Sequence, residues 1–187
     1  DSDLMARPLK QAAYSTVGDL SIAFDGVTDA GGYRRSLDLD SACARTELTA
    51  AGVTHVRRVV ASPDADVIAV HLATSVHGAL GARVTVRSPL RTTTTADGSE
   101  LVLAGVNDPH GDIPGALTFE ARIRAQVVGG VVRAEGDALV IEGADEATLL
   151  VAIATSHVGF DDLSGRPEER TTAVLDGEEG LLWVLPF

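Results

Sequence analysis

Cysteine, aromatic residues and lysine are scarce in this sequence of 187 residues, and each scarcity excludes a class of structure. Cys43 is the one cysteine, so no intrachain disulfide forms and no cysteine-based zinc site is available. The aromatic residues are one Trp, two Tyr and four Phe. This number is small for a free-standing platform that stacks sugars on exposed aromatic rings, so composition gives such a platform little support.

Positive charge is also sparse, since 15 Lys and Arg stand against 27 Asp and Glu and leave a net charge of −12. Arg34-Arg35 and Arg57-Arg58 are the densest basic spots. Neighbouring residues of a strand point to opposite faces, so neither pair forms a patch. Nucleic acid is therefore excluded as a partner, because phosphate binding needs a clustered basic surface.

Long apolar runs are missing as well. No stretch approaches the roughly 18–20 residues that span a bilayer, and the acidic N-terminus Asp1-Ser2-Asp3 differs from the basic start of a signal peptide. We expect a soluble chain that does not act at a membrane. Its localisation, secreted or cytoplasmic, stays open.

Residues 17–157 contain short alternating or β-branched runs separated by turn residues, a pattern typical of β-sandwiches and barrels. The segments TADGSELVLAG (95–105) and RAEGDALVIEG (133–143) each place an acidic residue and a glycine between two β-prone arms, which predicts two tight hairpins. Residues 149–154 are continuously apolar and predict a strand buried on both faces. The sequence thus predicts an all-β fold with little helix.

Two further segments carry specific expectations. Residues 119–128 alternate, so we expect Phe119 and Ile123 to face the core and Glu120, Arg122 and Arg124 to face water. Pro167 opens the segment Pro-Glu-Glu-Arg and favours the start of a short helix. Residues 181–187 are nearly all apolar and include Trp183. That end either docks onto the sheet as an edge strand or is an exposed truncation.

The motifs of catalysis are absent from the sequence. The histidines at 55, 71, 77, 110 and 157 have no metal-ligand spacing, and His55 and His71 are expected to be ordinary strand residues. The sequence has no Gly-x-Ser-x-Gly nucleophile elbow, and Gly129-Gly130 lack the following helix of a phosphate-binding loop. No acidic pair stands out as the two carboxyl groups of a glycosidase. We predict no metal, no cofactor and no catalytic residue.

One loop is denser in polar groups than the rest. Residues 107–115 combine two prolines and two glycines with four polar side chains, those of Asn107, Asp108, His110 and Asp112. These four residues are the candidate carbohydrate contacts. The alternative is a solvated turn whose polar groups satisfy one another.

Several blocks, in this order and spacing, resemble a known family. They are LMARPLKQ (4–11), Tyr14, VGDL (17–20), YRRSLDLDSA (33–42), VTHVRRVVAS (53–62), PGALTFEAR (114–122) and ADEATLL (144–150). Together they resemble the N-terminal β-domain of glycoside hydrolase family 95, a glycosyl hydrolase family 65 N-terminal-like domain. The resemblance implies a large antiparallel two-sheet supersandwich ahead of an (α/α)6 barrel in an α-L-fucosidase-like enzyme, some members acting on α-L-galactosides.

In that family the barrel supplies the inverting acid and base, so no catalytic residue is carried over to this chain. Family members have further sequence before the first block, and they continue beyond residue 162 through a linker toward the barrel. Residues 171–187 lose the resemblance and stop, which is the pattern expected of a truncated or frame-shifted gene product. We therefore divide the chain into a β-sandwich domain at residues 4–162 and a divergent tail at residues 163–187.

Three functional hypotheses follow. The first is a noncatalytic β-domain of an α-L-fucosidase-type hydrolase without its barrel, with fucosylated glycans as the implied ligands. The second is a stand-alone carbohydrate-binding or assembly module whose residues 181–187 close a homodimer. The third, a self-sufficient small enzyme, has no specific motif behind it.

Overall fold

The computed structural model describes residues 14–177, which form twelve strands and one helix. The strands are β1 (Asp19–Phe24), β2 (Gly31–Asp38), β3 (Cys43–Ala50), β4 (Val53–Ser62), β5 (Val67–Thr74), β6 (Leu80–Arg87), β7 (Arg91–Asp97), β8 (Glu100–Val106), β9 (Thr118–Val128), β10 (Val131–Glu135), β11 (Ala138–Ala144) and β12 (Glu146–Thr155). The helix is α1 (Pro167–Gly177). The apolar segment at 181–187, with its predicted docking or dimerisation, lies outside the described residues.

The strands form two antiparallel sheets of unequal width. The small sheet has the order β1-β6-β11-β10, and the large sheet has the order β2-β3-β4-β5-β12-β9-β8-β7. The sheets pack face to face, and the predicted all-β sandwich with little helix is confirmed. Among residues 14–177 there is no helix with the length and apolarity that crossing a lipid bilayer requires.

The core lies between the two inner faces, where alternate residues of each strand are buried. On β6 the pattern is strict, since Ala82, Val84 and Val86 are buried and the residues between them are partly exposed. The large sheet contributes Leu101, Ile123 and Leu149, each almost inaccessible to solvent. Side chains that alternate in this way bury one face of each sheet against the other.

Both predicted hairpins are confirmed. Asp97 pairs with Glu100 across the β7–β8 turn, and Glu135 pairs with Ala138 across the β10–β11 turn. The turn glycines Gly98 and Gly136 have φ angles of 54° and 65°, which residues with a side chain rarely adopt. The glycine in each segment therefore fixes the position of the turn and with it the register of the pair.

The long apolar run of β12 is central in the large sheet, between β5 and β9. Leu149 and Val151 face the small sheet, while Leu150 and Ala152 face the other way and meet Leu175 of α1. Burial on both faces is confirmed. The helix begins at Pro167 as predicted and lies on the outer face of the large sheet against β9 and β12.

The expectation that the polar face of β9 meets water is wrong. Glu120 is buried, and the side chains of Arg122 and Arg124 retain only 18% and 19% of their exposure. The physical reason is α1, which covers this face and supplies polar partners for the charged side chains. Alternation identified the two faces correctly, but it does not show what covers the polar one.

Candidate functional site

Two long loops leave the same end of the large sheet. Residues 107–117 connect β8 to β9, residues 156–166 connect β12 to α1, and β12, β9 and β8 are neighbours in the sheet. The loops are joined at their bases. The amide of Ser156 donates to the carbonyl of Thr118 (2.9 Å), and the amide of Thr118 donates to the Ser156 hydroxyl (3.1 Å). We call residues 107–117 and 156–166 together the loop end.

Asn107 closes the first loop at its base. Its backbone amide donates to the Leu117 carbonyl (3.0 Å), its side-chain Oδ1 accepts from the Leu117 amide (2.9 Å), and its Nδ2 donates to the Asp108 carbonyl (3.1 Å). A Cβ on Gly115 would lie 1.8 Å from the Asn107 carbonyl oxygen. The backbone and side-chain amide groups of Asn107 thus hold the two ends of this loop together.

The other three predicted contacts, Asp108, His110 and Asp112, lie on the loop between the hydrogen-bonded residues Asn107 and Leu117. His110 and Ile113 exchange two backbone hydrogen bonds of 2.9 and 3.1 Å, which make the tip a small bridged turn around Gly111 (φ 60°). Asp108 and Asp112 are exposed, and His110 is half-buried. The fold therefore keeps these three side chains on one ordered turn, whereas Asn107 lies at its base.

The second loop presents an aromatic residue that sequence reasoning missed. Phe160 is fully exposed at the tip of a turn bridged between Gly159 and Asp162. The Asp162 carboxylate accepts from the Ser164 amide (2.8 Å), and its hydrogen bonds to Ser164 hold the pKa of Asp162 below its usual value. The available signal was a lone aromatic inside a Gly-Phe-Asp-Asp turn, outside any alternating run.

Other apolar side chains of the two loops are also exposed. Val158, Leu163 and Ile113 of the two loops each expose about half of their surface. Arg170 of α1 ties the second loop down by donating to the carbonyls of Thr155 and His157, both at 2.9 Å. The loop end is therefore an ordered surface that combines apolar tips with acidic side chains.

The fold brings two carboxylates together elsewhere, beneath α1. Arg122 binds Glu100 at 2.7 Å and Glu120 at 3.0 Å, and Thr171 of α1 donates its hydroxyl hydrogen to Glu120. Burial opposes ionisation of Glu100, but the guanidinium groups of Arg124 and Arg122 outweigh it and hold the pKa of Glu100 below its usual value. A carboxylate held ionised in this way is a poor general acid.

The same network attaches the helix to the sheet. Arg124 donates to Glu100 (2.8 Å), to the Leu175 carbonyl (3.0 Å) and to the Asp176 carboxylate (2.8 Å). Apolar contact adds to this attachment through Leu175, which is buried against β5 and β12 with Val174 beside it. The role of Glu100, Glu120, Arg122 and Arg124 is therefore to dock α1.

Two histidines lie in strands, as predicted, and the structure shows that both are buried. His55 packs against Phe24 and His71 binds Glu146 through Nε2 at 3.3 Å. Within residues 14–177, no group of three or more His, Cys, Asp or Glu side chains has a geometry that could hold a metal ion. His55 and His71 thus contribute a packing contact and a hydrogen bond.

An apolar cleft of about 280 Å³ opens beside β1, between the two sheets. Its walls come from both inner faces. The lining residues include Val17, Leu20, Ile22, Arg57, Val59, Ile68, Val70 and Ile153. The cleft exists because the large sheet continues past β1 while the small sheet ends there.

Comparison with known proteins agrees with this architecture. The solved structure of a putative kojibiose phosphorylase from human microbiome is similar, with a TM-score of 0.52 and 10% sequence identity over 90% of this chain and 25% of that chain. The chain thus spans about a quarter of the length of that protein. No curated protein matches it in sequence. Residues 2–159 match the family model described as glycosyl hydrolase family 65, N-terminal domain, and because this match covers most of the sequence, the chain belongs to that family.

Proposed function

We propose that this chain is the noncatalytic N-terminal β-sandwich of an α-L-fucosidase-type glycoside hydrolase and hydrolyses no glycosidic bond by itself. The observation that carries the proposal is the family match over residues 2–159, which takes in all twelve strands. The unit shared with the family is therefore the whole sandwich. In this proposal the sandwich is a scaffold, and the hydrolytic acid and base belong to the barrel.

The position of the acidic residues supports a noncatalytic role. Hydrolysis of a glycosidic bond needs two carboxyl groups on either side of a substrate, one of them able to donate a proton. Glu100 and Glu120 are close enough to share Arg122, but both lie in the interface with α1 and leave no room for a sugar between them. Their charges are neutralised by arginine.

The choice of an α-L-fucosidase-type parent enzyme is supported by the order and spacing of the sequence blocks given above, two of which lie in the large sheet. YRRSLDLDSA covers most of β2 and its following turn, and VTHVRRVVAS is the whole of β4. These blocks carry the resemblance to glycoside hydrolase family 95. The similarity to the kojibiose phosphorylase, at 10% identity, supports the fold and does not decide between substrates.

We assign the loop end a contact with fucosylated glycan. Asp108, His110 and Asp112 offer hydrogen-bonding groups on one ordered turn, and Phe160 offers an exposed ring on the neighbouring loop. Sugars are bound by this combination, because their hydroxyls need polar partners and their C–H faces stack on aromatic rings. The same features favour the second candidate function, a stand-alone carbohydrate-binding module.

The test is to incubate the purified chain with 2′-fucosyllactose and to follow both the products and the amide NMR signals. We expect no release of fucose and chemical-shift changes confined to residues 107–115 and the turn around Phe160. Release of fucose by the pure chain would overturn the noncatalytic role. Unchanged NMR signals at millimolar sugar would overturn the glycan contact and leave the scaffold role.

Matched variants locate the contact. Asp112→Asn and Phe160→Ser each change one group at the loop end and are expected to weaken the shifts. Asp97→Asn alters an acidic residue at the β7–β8 turn, on the opposite end of the sandwich, and is expected to leave them unchanged. Equal effects of all three variants would contradict a site at the loop end.

A further inference from the structure

The edge of β1 differs from the other three sheet edges. Beta strands at an edge expose unpaired backbone groups, and proteins protect them with charges, bulges or a covering element. β2 has a register irregularity between Gly31 and Arg34 and carries two adjacent arginines. β10 carries Arg133 and Glu135 in ion pairs, and β7 contacts β10 across the sandwich.

β1 has none of these protections within the described residues. Its register with β6 is continuous from Asp19 to Phe24, and the four residues between them, Leu-Ser-Ile-Ala, are uncharged. The strand also borders the apolar cleft, into which Leu20 and Ile22 project. An uncharged, regular edge beside an apolar cleft is the geometry that accepts an additional strand.

The large sheet extends past β1, so within the described part of the chain no strand of the small sheet lies over the inner faces of β3 and β2. One row across these strands is apolar and consists of Leu37, Ala44 and Val59. Leu37 at its outer end exposes 62% of its surface. A strand added next to β1 would lie over this row and bury it.

The next row along the same face is cationic. It consists of Arg35, Thr46 and Arg57, which are paired directly across β2, β3 and β4. Arg57 donates a long hydrogen bond of 3.5 Å to the Thr46 hydroxyl, and no carboxylate among residues 14–177 forms an ion pair with Arg35 or Arg57. Within residues 14–177, Arg35 and Arg57 thus face the open side without a carboxylate partner, and this favours a partner that carries an acidic side chain.

We propose that β1 and the cleft form an acceptor site for an extended polypeptide strand that completes the small sheet. The alternation of rows defines the chemistry of that strand. On the face of that strand that meets the large sheet, the residue over the apolar row is apolar and the residue over the cationic row is acidic. Successive rows lie two residues apart along a strand, at positions i and i+2. The partner pattern is therefore apolar-x-acidic-x. This inference depends on the fold and not on the glycan contact at the loop end.

The test uses the purified chain and the peptide acetyl-Thr-Val-Thr-Glu-Thr-Val-Thr-amide, with a second peptide in which Lys replaces Glu. Amide NMR and hydrogen exchange report where each peptide binds. We expect slower exchange of the amides in β1 and shifts at Arg57 with the Glu peptide. The Lys peptide is expected to bind about tenfold more weakly, the effect of one charged hydrogen bond.

Charge reversal provides the decisive control. The Arg57→Glu variant is expected to reverse the order of the two affinities, so that the Lys peptide becomes the tighter ligand. The Arg91→Glu variant, on the edge strand β7, is expected to keep the original preference. Because the two peptides are compared on the same folded variant, a general loss of stability cannot reverse the order of their affinities.

Four results would overturn the proposal. The first three are the absence of binding by either peptide at millimolar concentration, binding confined to β2, β7 or β10, and equal affinity of the two peptides. Protection of the β1 amides in the peptide-free chain that rises with protein concentration would also overturn it, since the edge would then be covered by a second copy. None of these results bears on fucose release or on the loop-end shifts.

Discussion

The ring of Phe24 packs against the imidazole of His55, with centroids 5.1 Å apart and planes inclined by 51°. Phe24 is the last residue of β1, at the free edge of the small sheet, and His55 lies in β4 of the large sheet. This contact marks the limit of the two-layered core. On one side the inner faces of both sheets are buried, and on the other side, among the residues that the structure describes, only the large sheet continues.

The burial of His55 predicts a pH dependence of stability. Desolvation lowers the pKa of His55 below its ordinary value of 6.5, so the unfolded state takes up a proton more readily than the folded state. The free energy of unfolding is therefore expected to be highest above pH 6.5 and to fall as the pH drops from 6.5 toward the folded-state pKa. Urea unfolding at pH 7.5 and 5.5 measures the change.

A His55→Gln variant removes this titration and is expected to flatten the dependence between pH 7.5 and 5.5. His157→Gln, on the exposed second loop, serves as the control and is expected to retain most of it. The imidazole signals of His55 in an NMR titration report its pKa directly. A value at or above 6.5 would refute the prediction.

The network beneath α1 predicts a second pH effect, at lower pH. Because Arg124 and Arg122 lower the pKa of Glu100, its stabilisation is complete above the ordinary glutamate value of 4.5 and is lost as the pH falls through the folded-state value. At pH 7, Glu100→Gln is expected to cost about 1–3 kcal/mol through weaker hydrogen bonds to the two arginines. The difference from the unmodified chain should shrink toward pH 3. A difference that is independent of pH would contradict the role of the charge.

The hydroxyl of Thr171 is expected to matter for the attachment of the helix. Thr171 is completely buried and donates to Glu120. Thr171→Val keeps the shape but leaves a buried carboxylate oxygen with one donor fewer, at a cost of about 1–3 kcal/mol. Thr172→Val, one residue along and only partly buried, is the matched control and is expected to have little effect. Thermal unfolding followed by circular dichroism distinguishes the two, and equal losses would argue against the Glu120 contact.

Two glycines of the first loop are expected to respond differently to alanine. Gly111→Ala places a side chain at a φ of 60° with open space around it, and costs about 1–2 kcal/mol from the backbone conformation. Gly115→Ala forces a Cβ against the Asn107 carbonyl oxygen, which must move. We expect the loss of stability to be larger, at least about 2 kcal/mol, and the Asn107–Leu117 hydrogen bonds to open. Urea unfolding and the amide signal of Leu117 measure both effects, and an intact Leu117 signal in the Gly115→Ala variant would contradict the prediction.

Much of the local structure was predictable because it depends on near neighbours in the chain. The alternation in β6 and β9, the glycine turns at Gly98 and Gly136 and the helix start at Pro167 are each determined by a few consecutive residues. The four candidate contacts at residues 107–112 were identified by their composition alone. Their contact with carbohydrate stays a prediction. The composition of the loop did not distinguish Asn107 from the other three residues, although Asn107 holds the base of the loop together.

The sequence by itself determined the secondary structure, the turn positions and the membership of an all-β family, since side-chain period and turn chemistry act over short distances. Only the tertiary structure decided that Arg122 and Arg124 lie beneath a helix and that the loop carrying Phe160 leaves the sheet next to the candidate loop. It also decided that, within residues 14–177, β1 is the last strand of the small sheet while the large sheet continues past it. The physical reason is that each of these facts depends on which elements meet across the sandwich. Pairing between residues as distant as Glu120 and Thr171 is set by the packing of whole sheets and helices, and no local pattern encodes it.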